Sequence, residues 1–388
     1  MKEIRRVGIV AMPQISVGGG FARATRDLIA ALNAMGKEVY ITTPFHVDMK
    51  KIEELYGSIE IRKFFYPGKV TRFLSRDDLL GRKLIVPTFK RMAREVDFII
   101  DLDGGVLHNH LPSGFDRGKY IIWRLSCINP ETYKTQGVKD PKVLAKIIIK
   151  KTLKKMIRHV KDIPRDVKIY PLDEWTKREI IQFWKVPKTE MCLYPEIKVD
   201  EFEPKKKRKR QMAVLGRIAP NKSIHESIEI FNNGTLEHPE YKLVILGGVT
   251  PDSHLYIKQM KELAKKLGIE KRVSIIGDPP FKKIKEVLSE SEILIDSQRG
   301  VSLTMTAIEA MASGCIVLAQ KNAGTYQEVL EQGKYGYGFS DIGDGSKELK
   351  NIIDNLKKKQ LTNNKAIERA EFFSSRSFIK RLKNILNE

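Results

Sequence analysis

The chain of 388 residues is poor in cysteine, with three, and poor in acidic residues, with 48 Asp and Glu against 70 Lys and Arg. Cys127, Cys192 and Cys315 stand far apart, with no CxxC or Cys/His spacing. That excludes a disulfide framework or a cysteine-based zinc site, and leaves three small apolar residues expected to be buried. No uninterrupted apolar run is long enough to cross a bilayer, and the opening MKEIRRVGIV passes from charge directly into a strand-like run. The expectation is a cytoplasmic chain without a leader, peripheral at most to the cytoplasmic face of a membrane. The deficit of acid leaves a formal charge of +22 and a surface that attracts polyanions, whether nucleic acid, an anionic leaflet or a phosphorylated substrate. No helix-turn-helix, RRM-like or zinc-finger pattern accompanies the lysines, so no nucleic-acid partner is expected.

Hydrophobic residues make up 41% of the chain, enough for two cores of ordinary size. Buried strand patterns alternate with amphipathic helix patterns, which implies parallel sheets. Strands are expected over Arg6 to Met12, Glu38 to Thr43, Ser58 to Phe65, Val96 to Leu102, Lys119 to Trp123 and Met212 to Leu215. Helices are expected over Phe21 to Met35, Leu79 to Glu95, and from Trp175, where Asp173 serves as the cap. The first strand runs into Gly18-Gly19-Gly20, a turn whose backbone can approach a phosphate or can simply be flexible.

The richest stretch is Ser297 to Gln320, SQRGVSLTMTAIEAMASGCIVLAQ. A buried strand ends before it, and a short hydroxyl-rich loop leads to a helix from Thr306 to Ser313, stopped by Gly314. The free amides at such a helix start favour a phosphate, and Glu309 one turn further on suits a sugar's vicinal hydroxyls. The other cationic motif is AVLGRIAPNK, in which Arg217 and Lys222 follow a strand and precede a helix. Two cations there can bind a diphosphate and neutralise charge that grows as it leaves. An ordinary strand, loop and helix with surface charges is the alternative reading of each segment.

The order IEAMASGCIVLAQKNAGTYQEVL resembles the helix-Gly-strand signature of retaining nucleotide-sugar glycosyltransferases of family 4, the group 1 glycosyl transferases. GGGFARATRDLIAALNAMGKEVYITT, the Gly-Arg…Lys motif at Gly216, Arg217 and Lys222, and the stretch from Val167 to Pro204 resemble the same family. In that family two Glu residues separated by seven others precede the Ala-Met-Ala-x-Gly run. Here Glu309 fills the second place, associated with the ribose, and Val301 stands in the first, associated with the donor sugar.

The resemblance implies an α/β GT-B fold, two Rossmann-like domains with parallel sheets facing a central cleft. Residues 1–204 would form the acceptor domain, 205–365 the donor domain, and a helix at 366–388 would pack back on the first. It implies transfer of a sugar, with retention, from a nucleotide sugar to an acceptor saccharide or lipid-linked acceptor, with no metal and no further cofactor. Arg217 and Lys222 would be catalytic. Gly19, Gly20, Gly216, Ile276, Gly277, Thr304, Met305, Thr306 and Glu309 would bind the donor. His108, His110 and Arg124 are the acceptor-side candidates.

Residues 142–161, KVLAKIIIKKTLKKMIRHVK, carry eight basic residues and no acid on a pattern with helical spacing. That segment is either an anionic-membrane contact or an ordinary domain helix with solvated lysines. The run Lys205 to Arg210 is expected to be a solvated interdomain linker. A catalytically silent nucleotide-binding GT-B protein, a sugar-nucleotide epimerase and a basic nucleic-acid-binding protein are the competing function classes.

Overall fold

In a computed structural model, the structure describes residues 3–11, 20–43, 50, 59–67, 79–102, 107–125, 167–184, 186, 188–250, 253–358 and 364–387. The chain forms two units. The first comprises Met1–Cys127, Ile148–Glu196 and Ser375–Glu388, and the second Ile128–Ile147 and Ile197–Ser374. Cys127, Gly19 and the basic segment 142–161 lie outside the described residues.

The first unit holds a sheet of strands β1 (Arg6–Val10), β2 (Glu38–Thr42), β3 (Lys63–Phe65), β4 (Phe98–Asp101), β5 (Tyr120–Arg124) and β6 (Lys168–Pro171). All are parallel, in the order β3-β2-β1-β4-β5-β6. The central strands read VGIV and FII because both sheet faces are covered, one by a core with Ile9, Leu28, Ile100 and Trp123, the other by one with Val10, Phe89, Ile99 and Ile122. Helix α1 (Gly20–Ala34) buries Leu28, Ile29 and Leu32, which share one face at helical spacing. Helices α2 (Leu79–Ala93) and α3 (Glu174–Trp184) follow. The Asp173 cap is present, its Oδ1 accepting from the Thr176 amide at 2.8 Å.

The third strand is shorter than the sequence pattern suggests. Asn33 from α1 donates to the Glu60 carbonyl and accepts from the Glu60 amide, at 3.0 and 2.9 Å. A side-chain amide thus occupies the backbone groups a strand partner would need, and the ladder begins only at Lys63.

The second unit repeats the arrangement with β7 (Gln211–Leu215), β8 (Lys242–Gly247), β9 (Val273–Gly277), β10 (Ile293–Asp296), β11 (Ile316–Gln320) and β12 (Tyr337–Phe339). Their order is β12-β11-β10-β7-β8-β9, again all parallel. Helices α4 (Ile224–Gly234), α5 (Ser253–Lys266), α6 (Phe281–Glu290), α7 (Met305–Ala312), α8 (Ile342–Lys357) and α9 (Asn364–Glu371) cover it. Helix α10 (Ser375–Leu386) belongs to the first unit, where Phe378 and Leu382 join the core beside Trp123.

The basic run Lys205 to Arg210, expected as a solvated interdomain linker, is exposed except at Arg208 but lies inside the second unit. Arg208 lies at the C-terminal end of α7, donating to the carbonyls of Ser313 at 2.7 Å, Ser291 at 2.9 Å and Gly314. Lys205 and Lys209 share Glu290, and Arg210 pairs with Glu292. A cation at that helix end meets the negative pole of the backbone dipole and satisfies carbonyls the helix leaves open. The run is a tether of the second unit rather than a spacer.

Candidate active site at the carboxyl edge of the second sheet

In a doubly wound sheet the strand order reverses at one point, and loops leaving the two strands there diverge to opposite faces. In the second unit these strands are β7 and β10. Their loops carry both motifs singled out in the sequence.

After β7 the chain turns at Gly216, whose φ of 155° is costly for any residue with a side chain. Its carbonyl oxygen lies where a Cβ on Gly247 would stand only 1.6 Å away, so glycine at the end of β8 is a packing requirement. Arg217 points into solvent with no hydrogen bond or ion pair among the described residues. A single 3-10 turn, Pro220–Lys222, then delivers Lys222, and Ser223 in the left-handed region (φ 51°) starts α4. The Lys222 ammonium donates to Gln298 Oε1 at 2.5 Å. Burial pushes its pKa below the usual lysine range; the Asp296 carboxylate works the other way, and Arg217 adds to the depression. Ser297 ties the two loops, its hydroxyl donating to the Ser223 carbonyl at 2.8 Å.

After β10 the organising group is Asp296, whose side chain is almost wholly buried. Its Oδ2 accepts from the hydroxyls of Thr304 at 2.8 Å and Thr325 at 3.2 Å, and its Oδ1 from the Gln298 amide at 3.3 Å. Gly324 allows that convergence, since a Cβ there would lie 2.7 Å from the Leu303 nitrogen. The Gly324 amide donates to the Val301 carbonyl at 2.8 Å. Thr304 is the N-cap of α7, yet its side chain caps nothing. Its own amide is taken by the Thr325 hydroxyl at 3.2 Å. The amides of Met305 and Thr306 have no partner among the described residues. At the neighbouring helix α4 the equivalent position is filled, the Tyr256 hydroxyl accepting from the His225 amide at 3.0 Å. Of these two helix starts, α7 is the one open to an anion.

Glu309 lies one turn into α7 and is 2% exposed. Gly216, Arg217, Lys222, Thr304, Met305, Thr306 and Glu309 therefore share one edge of one sheet. Ile276 and Gly277 end β9 on the same edge, two strands from β7; Gly277 packs against Val249, with room for no Cβ. The remaining candidates belong to the first unit. Gly20 begins α1, and Arg124 ends β5 half-buried. His108 is buried in a single 3-10 turn, His108–His110. His110 has its pKa lowered by burial and, less, by Lys90 and His108. Sequence reading passed over Asp296, Gln298, Gly324 and Thr325. The one available signal was an acid ending an otherwise apolar strand, ILID, because such a carboxylate needs buried partners.

Residues 196–372 match the family model described as glycosyl transferases group 1. That segment is a group 1 glycosyl transferase domain. Curated relatives include the human GDP-Man:Man(3)GlcNAc(2)-PP-Dol alpha-1,2-mannosyltransferase, 27% identical over 168 residues, covering 40% of this chain and 34% of the relative. Mannosylfructose-phosphate synthase from Agrobacterium fabrum is 30% identical over 118 residues, covering 30% of this chain and 26% of that protein. The chain thus matches about a third of the first of these and a quarter of the second. Among solved structures, sucrose-phosphate synthase from Thermosynechococcus elongatus aligns with a TM-score of 0.73 at 15% identity, over 99% of this chain and 98% of that one. Anabaena Alr3699/HepE in complex with UDP and glucose aligns at 0.70, also at 15% identity, over 99% of each. The chain has the GT-B fold, with two six-stranded parallel sheets and their covering helices.

Proposed function

We propose that this chain, with its group 1 glycosyl transferase segment, moves a sugar from a nucleoside-diphosphate donor to an acceptor hydroxyl, with retention at the anomeric carbon. The observation that carries the reading is the convergence of Arg217, Lys222 and the open amides of Met305 and Thr306 around the point where the second sheet reverses. Cations and fixed amide dipoles there suit a diphosphate whose charge rises as the glycosidic bond breaks. In that step the bond from C1 to the diphosphate oxygen breaks, and the acceptor oxygen bonds C1 on the same face. The acceptor's proton passes to the departing diphosphate oxygen. Lys222 and Arg217 hold the growing charge, and Glu309 takes the ribose hydroxyls. The reaction proceeds without a metal.

The mannosyltransferase relatives, whose names specify GDP-Man and a PP-Dol acceptor, favour GDP-mannose as donor and a lipid-linked saccharide as acceptor. The basic segment 142–161 suits work at an anionic surface on the cytoplasmic side. Among the described residues no helix is long and apolar enough to cross a membrane.

The test is thermal stabilisation of the wild type and of Glu309→Ala by GDP, UDP, ADP and their sugar conjugates. A ligand at a hundred times its Kd stabilises by about 2.7 kcal/mol. A shift with GDP and GDP-mannose, weakened in Glu309→Ala, is expected. Absence of a shift with every nucleotide overturns the reading. Activity undiminished by EDTA, with α-linked product from an α-linked donor by NMR, checks the metal and stereochemical parts.

A further inference from the structure

We infer that Asp296 is a positioning residue that keeps the α7 helix start vacant for the donor's diphosphate, by holding the Thr304 hydroxyl away from it. This rests on the diphosphate reading of the site and adds to it a residue outside the cationic motif.

A threonine at an N-cap ordinarily turns its hydroxyl onto the amide two or three residues ahead, satisfying a donor the helix leaves open. Thr304 has the N-cap position and the extended backbone for that bond, with φ −105° and ψ 126°, and does not make it. Its hydroxyl donates instead to Asp296 Oδ2 at 2.8 Å, and the Thr325 hydroxyl stands 3.0 Å from it. Thr325 donates in turn to the same carboxylate oxygen and is wholly buried. Asp296 is 5% exposed, so water competes little for this acceptor. An anionic acceptor binds a hydroxyl about twice as strongly as a neutral one does. The bond to the carboxylate thus fixes the Thr304 rotamer, and in that rotamer its oxygen accepts from no amide at the start of α7.

A carboxylate beside an anion site also carries a cost, since it repels the phosphate. Lys222, whose ammonium feels the Asp296 charge and is anchored on Gln298, supplies the offsetting cation. Two effects of removing Asp296 are thus opposed. Loss of repulsion tightens anion binding, and release of Thr304 onto the amides weakens it. Thr304 guards the site if the second effect is the larger, and the titration below separates the two.

The experiment is isothermal titration of inorganic pyrophosphate into wild type, Asp296→Ala, Thr304→Ala and the double variant, with folding checked by circular dichroism. Asp296→Ala is expected to bind about fivefold more weakly, the equivalent of a side-chain cap of about 1 kcal/mol. The double variant regains that factor, because no hydroxyl remains to occupy the amides. A carboxylate that merely supports the fold gives no such recovery. Unchanged or tighter binding in Asp296→Ala, or a double variant as weak as Asp296→Ala, overturns the inference while leaving the diphosphate reading intact. A wild type that binds no pyrophosphate overturns that reading, and the inference with it. Should Asp296→Ala fail to fold, Asp296→Asn replaces it with a neutral acceptor of the same shape. It is expected to lose two- to threefold, again recovered with Thr304→Ala, and no loss or no recovery counts against the inference.

Discussion

Lys222 is held where burial and the Arg217 guanidinium both work against its charge, with Asp296 as the countervailing group. A diphosphate placed beside it reverses the balance and draws a proton onto the amine. Its folded pKa lies below 10.5, so between that lowered value and 10.5 the unfolded chain binds the extra proton. Lys222 thus contributes a stability penalty that is full below the folded pKa and relieved as pH rises through the window. For ligand the sign is opposite: pyrophosphate affinity is expected to fall as pH rises through the folded pKa, with a midpoint below that of an exposed lysine. In Lys222→Arg the fall moves beyond the measurable range, which titration calorimetry from pH 7 to 10 would show. Lys222→Ala should lose about two to three orders of magnitude in kcat/KM with the thermal midpoint little changed. Unchanged turnover would remove the residue from the chemistry. Cys315 illustrates the opposite extreme: burial, opposed by the Arg208 guanidinium, pushes its thiol up to about 12, so it should resist alkylation at pH 8 until the second unit unfolds.

At the scale of elements, α7 is the piece on which most of the site depends, and its two ends are treated differently. The start is left open, while the end is closed by Arg208 and by Gly314 at φ 75°. A Cβ on Gly314 would fall 2.2 Å from the Arg208 guanidinium. Gly314→Ala is therefore expected to cost about 1–3 kcal/mol in chemical denaturation, through both the left-handed backbone and the displaced arginine. The strand, helix and Gly cap of this segment were legible in the sequence because apolar period, cap residue and cationic spacing are local. Asp296 with Thr325, Gly324 against Leu303, Gly247 against Gly216, and Arg208 over Gly314 were not. Each joins residues far apart along the chain, and only the sheet order brings them together. The same holds for Asn33, whose capture of Glu60 shortened a strand that the apolar alternation had extended.

For the whole molecule, the excess of 70 basic over 48 acidic side chains makes association with anionic partners dependent on salt. Segment 142–161, outside the described residues, concentrates that charge. Co-sedimentation with phosphatidylglycerol vesicles is expected at low salt, at about 1 kcal/mol for each lysine or arginine at the surface. It should weaken at 0.5 M salt and be lost when the lysines of this segment are replaced by glutamine. Equal recovery with neutral vesicles would sink the membrane role.

The chain leaves the first unit at Glu196, builds the larger segment of the second, and returns at Ser375. The two crossing points are neighbours: the Ile197 amide donates to the Phe373 carbonyl at 2.9 Å, and the Ser375 hydroxyl donates to Glu196 at 2.7 Å. At this junction the cut ends lie side by side. Segment Ile197–Ser374, which carries the whole second sheet, is in effect a cassette, closable into a ring by a short peptide. A ring of that kind gives up little chain entropy that the native contact has not already given up. The same adjacency lets a homologous cassette be exchanged into the first unit without respacing the junction, so the two sheets can be recombined as separate parts.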